Sequence, residues 1–128
     1  MKVLVDTNIL IWALINPQRL SEKAIDVLLN PDTEIVVSSA SLWEIGIKYH
    51  AGKMPEIARI FMRIEYYLTA LDAQELPITH KHALLAASLP LIHKDPFDRV
   101  LVAQSLAEGL PLVTKDAILG KYNISVIW

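Results

Sequence analysis

The chain has 128 residues, of which 53% are hydrophobic, so it is long enough for one ordinary domain with a full apolar core. It contains no cysteine, which excludes a disulfide framework and a thiolate metal site. Its formal net charge of −2 provides no general attraction for nucleic acid, and no apolar run approaches the roughly 20 residues of a membrane span. No apolar signal-peptide region follows Met1, and we therefore expect a cytoplasmic protein without a membrane segment.

The first third of the chain predicts a strand, two helices and a second strand. Lys2–Val5 is apolar without alternation, which is typical of a strand covered on both faces in a parallel sheet. Residues 9–15 predict a helix that is apolar on nearly all sides and ends at Asn16, and Ser21 begins the next helix. Residues 34–37 predict the second strand, so the order of elements already favours an α/β fold.

Two further helices and a short strand are predicted in the middle of the chain. The serines between positions 38 and 41 offer N-caps for a helix that ends near Gly52. Pro55 begins another helix, which we predict to continue to about Tyr67. Residues 75–78 predict a short strand that contains Pro77, and proline favours a position near the edge of the sheet.

The last third of the chain has clear helix boundaries. Thr79 caps one helix, and Asp95 followed by proline begins a second helix that ends at Gly109. Residues 111–114 and 124–127 predict the last two strands. Strands that alternate with helices predict a single domain over residues 1–128, folded as a three-layer α/β/α sandwich with a mostly parallel central sheet.

Four carboxylates lie at the ends of predicted strands or in the first turns of predicted helices, and these are Asp6, Glu44, Asp98 and Asp116. Each also has a structural explanation. Asp6 could cap the helix that follows it, and Glu44 could form a capping box with Ser41. Asp98 could interact with the helix dipole, and Asp116 could be a turn residue. Because the carboxyl ends of parallel strands share one edge, we expect all four to meet there. Like charges 4 Å apart cost about 4 kcal/mol at an effective dielectric near 20, so such a cluster predicts divalent cations.

Clustered carboxylates that hold divalent cations favour metal-assisted hydrolysis of phosphodiesters, since two such ions can clamp the attacking and leaving oxygens. Small polar side chains beside the acids are predicted to orient carboxylates or waters, and they are Thr7, Asn8, Ser39 and Thr114. Nearby cations are predicted to line a path for phosphate groups, and they are Lys48, Lys94, Arg99 and Lys115.

Four segments in order along the chain carry a family resemblance. They are Val5-Asp6-Thr7-Asn8, the stretch from Ser39 to Ile45, His93-Lys94-Asp95-Pro96-Phe97-Asp98-Arg99, and the stretch from Leu112 to Asp116. With these segments the whole chain resembles PIN-domain ribonucleases, and more closely the VapC toxins of toxin–antitoxin pairs.

The resemblance implies endonucleolytic RNA cleavage that depends on Mg²⁺ or Mn²⁺, and a homodimer whose acidic pocket is blocked by the tail of a protein antitoxin. It implies that the metal-binding and catalytic acids are Asp6, Glu44, Asp98 and Asp116. Asp95 is either a further ligand or only a helix cap, and its position before Pro96 favours the cap.

Other functions fit the residues less well. Histidine-based cleavage needs two imidazoles as acid and base, but His80 and His82 are two residues apart and lie on different faces of a helix. An aspartyl phosphatase needs a second aspartate where this chain has Asn8, and none of the four glycines forms a phosphate-binding loop. A catalytically inactive PIN-like protein-binding module remains the alternative, and a nuclease assay with Mg²⁺ and with EDTA separates it from the enzyme.

Overall fold

A computed structural model describes all 128 residues and has a five-stranded sheet at its centre. Every pair of neighbouring strands is parallel, and the order across the sheet is β3-β2-β1-β4-β5. The strands are β1 (Lys2–Val5), β2 (Glu34–Ser38), β3 (Gln74–Leu76), β4 (Leu112–Val113) and β5 (Val126–Ile127). The predicted α/β sandwich with a mostly parallel sheet is therefore confirmed.

Seven α-helices connect and cover these strands. They are α1 (Thr7–Ile15), α2 (Glu22–Leu29), α3 (Ser39–His50), α4 (Pro55–Phe61), α5 (Ile64–Ala70), α6 (His80–Ser88) and α7 (Pro96–Glu108). Two short 3₁₀ helices cover Pro17–Arg19 and Ala117–Tyr122. No helix combines the length and apolar character that crossing a membrane requires.

Helix caps explain several of these boundaries. The side chains of Ser21, Thr79 and Asp95 accept hydrogen bonds from backbone N–H groups in the first turns of α2, α6 and α7, as the sequence predicted. Gly109 ends α7 with a left-handed φ of 66°, which glycine adopts without the steric cost that a Cβ brings.

The central strand explains why the sheet has helices on both sides. Val3 and Val5 belong to one buried cluster, together with the apolar residues of α1 and α4. Leu4 points to the opposite face and belongs to a second cluster with Leu101 and Val102 of α7. A strand that buries successive side chains on opposite faces has no position for a polar residue, which accounts for its continuous apolar sequence.

Two local predictions were wrong, and a third was incomplete. The helix predicted over residues 55–67 is divided into α4 and α5, and no proline or glycine marks the break at Met62. Ser38 rather than Ser41 caps α3, so Glu44 lies in the second turn and forms no capping box. Asp116 is more than a turn residue, because it caps the 3₁₀ helix that follows it.

Candidate metal centre

Asp6 lies at the middle of the carboxyl edge of the sheet. The preceding residue, Val5, pairs with β2 on one side and with β4 on the other. One carboxylate oxygen of Asp6 accepts a hydrogen bond of 2.8 Å from the backbone N–H of Ile9, and the other accepts one from the hydroxyl of Thr114. Burial raises the pKa of Asp6. The two hydrogen bonds lower this pKa and so partly oppose the effect of burial, whereas the charges of Glu44 and Asp116 raise it further. Asp6 therefore caps α1 and also faces two of the other acids.

Glu44 reaches the same place from α3. One of its carboxylate oxygens lies 3.3 Å from the ammonium of Lys48, one helical turn away. The other oxygen, Oε1, is buried and has no hydrogen-bond partner. A buried carboxylate oxygen without a partner is unfavourable, so this atom indicates a position that a bound cation would satisfy.

Asp98 arrives from the first turn of α7. Burial, and then the charge of Asp95, raises the pKa of Asp98 to about 7, and Asp6 and Glu44 add smaller contributions in the same direction. The neighbouring His93 partly opposes this shift of the Asp98 pKa. Because the charges of Asp6 and Glu44 act on the pKa of Asp98, the acids that follow β1 and lie on α3 and α7 share one pocket.

Asp116 closes the pocket on the side of β4. Its Oδ1 accepts a hydrogen bond of 3.0 Å from the backbone N–H of Ile118, and its Oδ2 lies 3.1 Å from Nε2 of His93. The structure therefore places all four predicted acids at one edge of the sheet. Asp95 accepts from the N–H groups of Phe97 and Asp98, at 2.8 and 3.3 Å, and this confirms its predicted position as the cap of α7.

His93 is a pocket residue that the sequence reasoning did not assign to this site. Its Nε2 lies 3.1 Å from Asp116 Oδ2 and 3.4 Å from Asp98 Oδ2. Its Nδ1 accepts a hydrogen bond of 3.1 Å from the backbone N–H of Asp95, so the neutral ring carries its proton on Nε2. In this tautomer His93 donates to the carboxylates. Its ring nitrogen also lies with the oxygens of Asp98 and Asp116 in a group of ligand atoms that are all within 4.8 Å of one another, so the same three side chains could hold a cation once Nε2 has lost its proton. The position of His93 two residues before the cap of α7 was the signal available in the sequence.

The predicted supporting residues behave differently from one another. The hydroxyl of Thr114 donates to Asp6 and accepts from the backbone N–H of Asp116, so this residue links two of the acids. The hydroxyl of Thr7 donates to Ser41 at 3.1 Å and joins α1 to α3 behind the pocket. Asn8 is exposed, and neither Asn8 nor Ser39 makes a hydrogen bond to an acid, so Thr114 alone contacts the acids directly.

Of the predicted phosphate contacts, Arg99 has a different role. Its guanidinium donates to four main-chain carbonyls, that of Ala86 in α6 and those of Leu89, Pro90 and His93 in the segment between α6 and α7, at 2.8 to 3.3 Å. These donors are committed inside the protein, so Arg99 holds this segment in place and they are not free to bind a phosphate. Lys48 borders the pocket but is paired with Glu44, whereas Lys94 and Lys115 are exposed, so the last two ammonium groups are free to contact a phosphate.

The donor set fits a hard divalent cation. Four carboxylates converge, the chain has no cysteine, and one carboxylate oxygen is buried without a partner. Mg²⁺ and Mn²⁺ prefer oxygen ligands of this kind, and a bound cation would offset both the burial and the repulsion that raise the pKa of Asp98.

The fold and this pocket define an α/β protein with an acidic site at the carboxyl edge of a parallel sheet. Residues 3–124 match the family model of the PIN domain, and the chain belongs to that family. It is 29% identical over 122 residues to Ribonuclease VapC22 of Mycobacterium tuberculosis (strain ATCC 25618 / H37Rv), a match that covers 94% of this chain and 92% of the relative.

Solved structures share the fold. The crystal structure of VapBC2 from Rickettsia felis bound to a DNA fragment from its promoter matches with a TM-score of 0.74 at 18% identity, and covers 98% of this chain and 97% of that chain. VapBC-5 from Mycobacterium tuberculosis, described as a member of the VapBC family of toxin–antitoxin systems, matches with a TM-score of 0.62 at 17% identity, over 98% and 94% of the two chains. These likenesses confirm the PIN-like fold that the sequence motifs predicted.

Proposed function

We propose that this protein is a metal-dependent endoribonuclease that hydrolyses RNA phosphodiester bonds and serves as the toxin of a cytoplasmic toxin–antitoxin pair. The observation that carries the proposal is the convergence of four acids from β1, α3, α7 and the end of β4, one of which has an unpartnered buried oxygen. A relative named as a ribonuclease and fold neighbours from VapBC complexes support the same conclusion.

Each pocket residue has a stated part in this proposal. Asp6, Glu44, Asp98 and Asp116 would hold Mg²⁺ or Mn²⁺. A cation bound there supplies a Lewis acid for the attacking water and for the charge that develops on the phosphate. Thr114 orients Asp6 by donating its hydroxyl proton, and the Nε2–H of His93 holds Asp116 and Asp98. Lys94 and Lys115 attract the RNA backbone toward an otherwise acidic pocket.

The proposed protein partners have surfaces available to them. Aliphatic side chains in α6 and after it are exposed, with Leu84 at 70% and Leu91 at 76%. A second apolar surface is a cavity of about 160 Å³ lined mainly by α1 and α2, including Leu10 and Leu28. Exposed apolar surface of this kind is typical of contacts between proteins, which is consistent with a homodimer and an antitoxin.

Asp6→Asn tests the proposed function. We expect the purified variant to lose RNA cleavage by about 1,000-fold or more, because a divalent cation contributes several kcal/mol of charge stabilisation to the transition state. The fold should persist, since the amide oxygen of asparagine still accepts the cap hydrogen bond from Ile9. The measurement is cleavage of a labelled RNA with Mg²⁺, with Mn²⁺ and with EDTA, together with circular dichroism.

Asp26→Asn is the matched control, because Asp26 is an exposed acid on α2 and should keep full activity. Undiminished metal-dependent cleavage by Asp6→Asn would contradict the assignment of the site. Wild-type protein that cleaves no RNA under any of these conditions would favour the inactive binding module.

A further inference from the structure

An exposed tryptophan borders the acidic pocket. Trp43 precedes Glu44 on α3 and is 62% exposed, although tryptophan has a large apolar ring. Its ring contacts Phe97 edge to face, with centroids 5.2 Å apart and planes at 81°. Phe97 in turn precedes Asp98. Two aromatic residues therefore meet beside the pocket, each directly adjacent in sequence to one of its acids.

The helix geometry places the indole at the rim of the pocket. Successive residues of an α-helix are about 100° apart around its axis, so Trp43 lies to one side of Glu44 rather than in front of it. The contact with Phe97 limits how far the indole can swing, while most of Trp43 stays open to solvent. A ring held in this way is preorganised for stacking.

A shallow groove continues from Trp43 along the outer face of α3. Gly46 and Ile47 line it, and His50 lies at its far end. Gly46 lets the helix approach Phe61 closely, since an added Cβ would come within 3.1 Å of that ring. No acidic side chain lines the groove, so a polyanion that leaves the pocket in this direction meets aromatic and apolar surface.

We propose that Trp43 is the stacking platform for an unpaired nucleobase next to the scissile phosphate. This inference rests on the proposed ribonuclease function. A phosphate held at the acids leaves the attached base at the rim, where the indole offers a π face that accepts any base. Bases inside a duplex are already stacked on their neighbours and are not free to use this platform.

The chemistry of the rim favours a base over a protein partner. A stable protein interface needs about 800 Å² on each side, whereas the exposed apolar surface at the rim consists mainly of Trp43 and Ile47. The larger exposed surfaces around α6 and α2 are aliphatic and lie on other elements of the fold. Tyr122 and Trp12, on the side of Asp116, are buried, whereas Trp43 beside Glu44 is 62% exposed and is free to stack on a base.

The test compares Trp43→Ala and Trp43→Phe with wild type. The probes are one RNA oligonucleotide as a single strand and as a duplex, whose binding is measured with EDTA so that the cation required for cleavage is absent, and the same single strand with Mg²⁺ for cleavage. We expect Trp43→Ala to weaken binding of the single strand by about 10- to 100-fold, since the stacking surface is lost. Trp43→Phe should stay within about threefold of wild type, but the quenching of tryptophan fluorescence on binding should disappear. In cleavage, Trp43→Ala should raise KM and leave kcat unchanged.

Met62→Ala is the control, because Met62 is 76% exposed between α4 and α5 and away from the rim. Thermal unfolding should show that all variants remain folded. The inference is overturned if Trp43→Ala binds the single strand as tightly as wild type. It is overturned as well if the substitution weakens binding of the duplex by the same factor as binding of the single strand. It is also overturned if the variant loses only self-association in sedimentation, which would make the rim a protein interface. Wild type that binds the single strand through Trp43 but cleaves nothing would refute the proposed function and not the platform.

Discussion

Asp98→Asn is expected to abolish RNA cleavage and at the same time to stabilise the metal-free protein at pH 8. The loss of cleavage should be about 1,000-fold or more, because the variant removes one of the four carboxylates proposed to hold the cation. The gain in stability is expected because burial and the charge of Asp95 make ionised Asp98 unfavourable in the folded protein, and asparagine carries no charge. Opposite signs for activity and stability are typical of a residue that is kept for function.

The pH dependence of this stabilisation has a definite sign. The pKa of Asp98 is 3.8 in the unfolded reference and about 7 in the folded protein, so the folded state retains a proton that the unfolded chain has released. The contribution of Asp98 to stability is therefore complete below about pH 4 and is lost as the pH rises to about 7. Because a tenfold change in proton affinity corresponds to about 1.4 kcal/mol, we expect Asp98→Asn to gain about 1–3 kcal/mol at pH 8 and little at pH 4.

Urea unfolding of EDTA-treated protein between pH 4 and pH 8 measures this difference. Mg²⁺ should stabilise the wild type at pH 8, since a ligand that binds only the folded state adds to the free energy of unfolding, and it should have a much smaller effect on Asp98→Asn. Asp26→Asn on α2 is the control and should follow the wild type at every pH. An Asp98→Asn protein that is less stable than wild type at pH 8 would show that the carboxylate is not under electrostatic stress.

Arg99→Ala is expected to produce the largest loss of stability among the single substitutions considered, about 2–4 kcal/mol. The guanidinium donates to four carbonyls of residues 86–93, and the variant leaves all four without these charged donors. One of these carbonyls belongs to His93, whose ring contacts two of the acids. Cleavage should therefore fall as well, although Arg99 does not reach the pocket.

Guanidinium chloride unfolding measures this effect, with Arg59→Ala as the control because Arg59 is exposed on α4. Arg59→Ala should change the free energy of unfolding by less than about 0.5 kcal/mol. Arg99→Lys should recover only part of the loss, since a single ammonium lacks the planar fork that reaches several carbonyls at once. If Arg99→Ala unfolds with the same midpoint and slope as wild type, the segment between α6 and α7 does not depend on this side chain.

Sequence reasoning recovered the main elements because their signals are local. The apolar run of β1 indicated a strand buried on both faces, and the caps at Ser21, Thr79 and Asp95 marked helix boundaries correctly. The convergence of the four acids followed from one topological rule for parallel sheets. The missed break between α4 and α5 had no proline or glycine to announce it, so packing rather than propensity decides it.

Within the site, too, local sequence does not reveal what the packing of distant elements decides. The position of Asp98 in the first turn of α7 suggested a carboxylate stabilised by about 0.3–1 kcal/mol through the helix dipole. The folded structure reverses that balance, because desolvation and Asp95 outweigh the dipole and raise the pKa of Asp98 to about 7. Desolvation depends on which elements cover a residue, and the neighbours of Asp98 in sequence do not contain that information.

The sequence by itself determined the class of fold, the edge of the sheet where the acids lie, and the family, since each depends on short segments and their order. The tertiary structure alone decided how those segments face one another. It brings His93 between Asp98 and Asp116, directs Arg99 into carbonyls that only a folded-back segment can present, and leaves Oε1 of Glu44 buried without a partner. Hydrogen bonds and desolvation depend on distances between residues that are remote along the chain, and those distances exist only once the chain has folded.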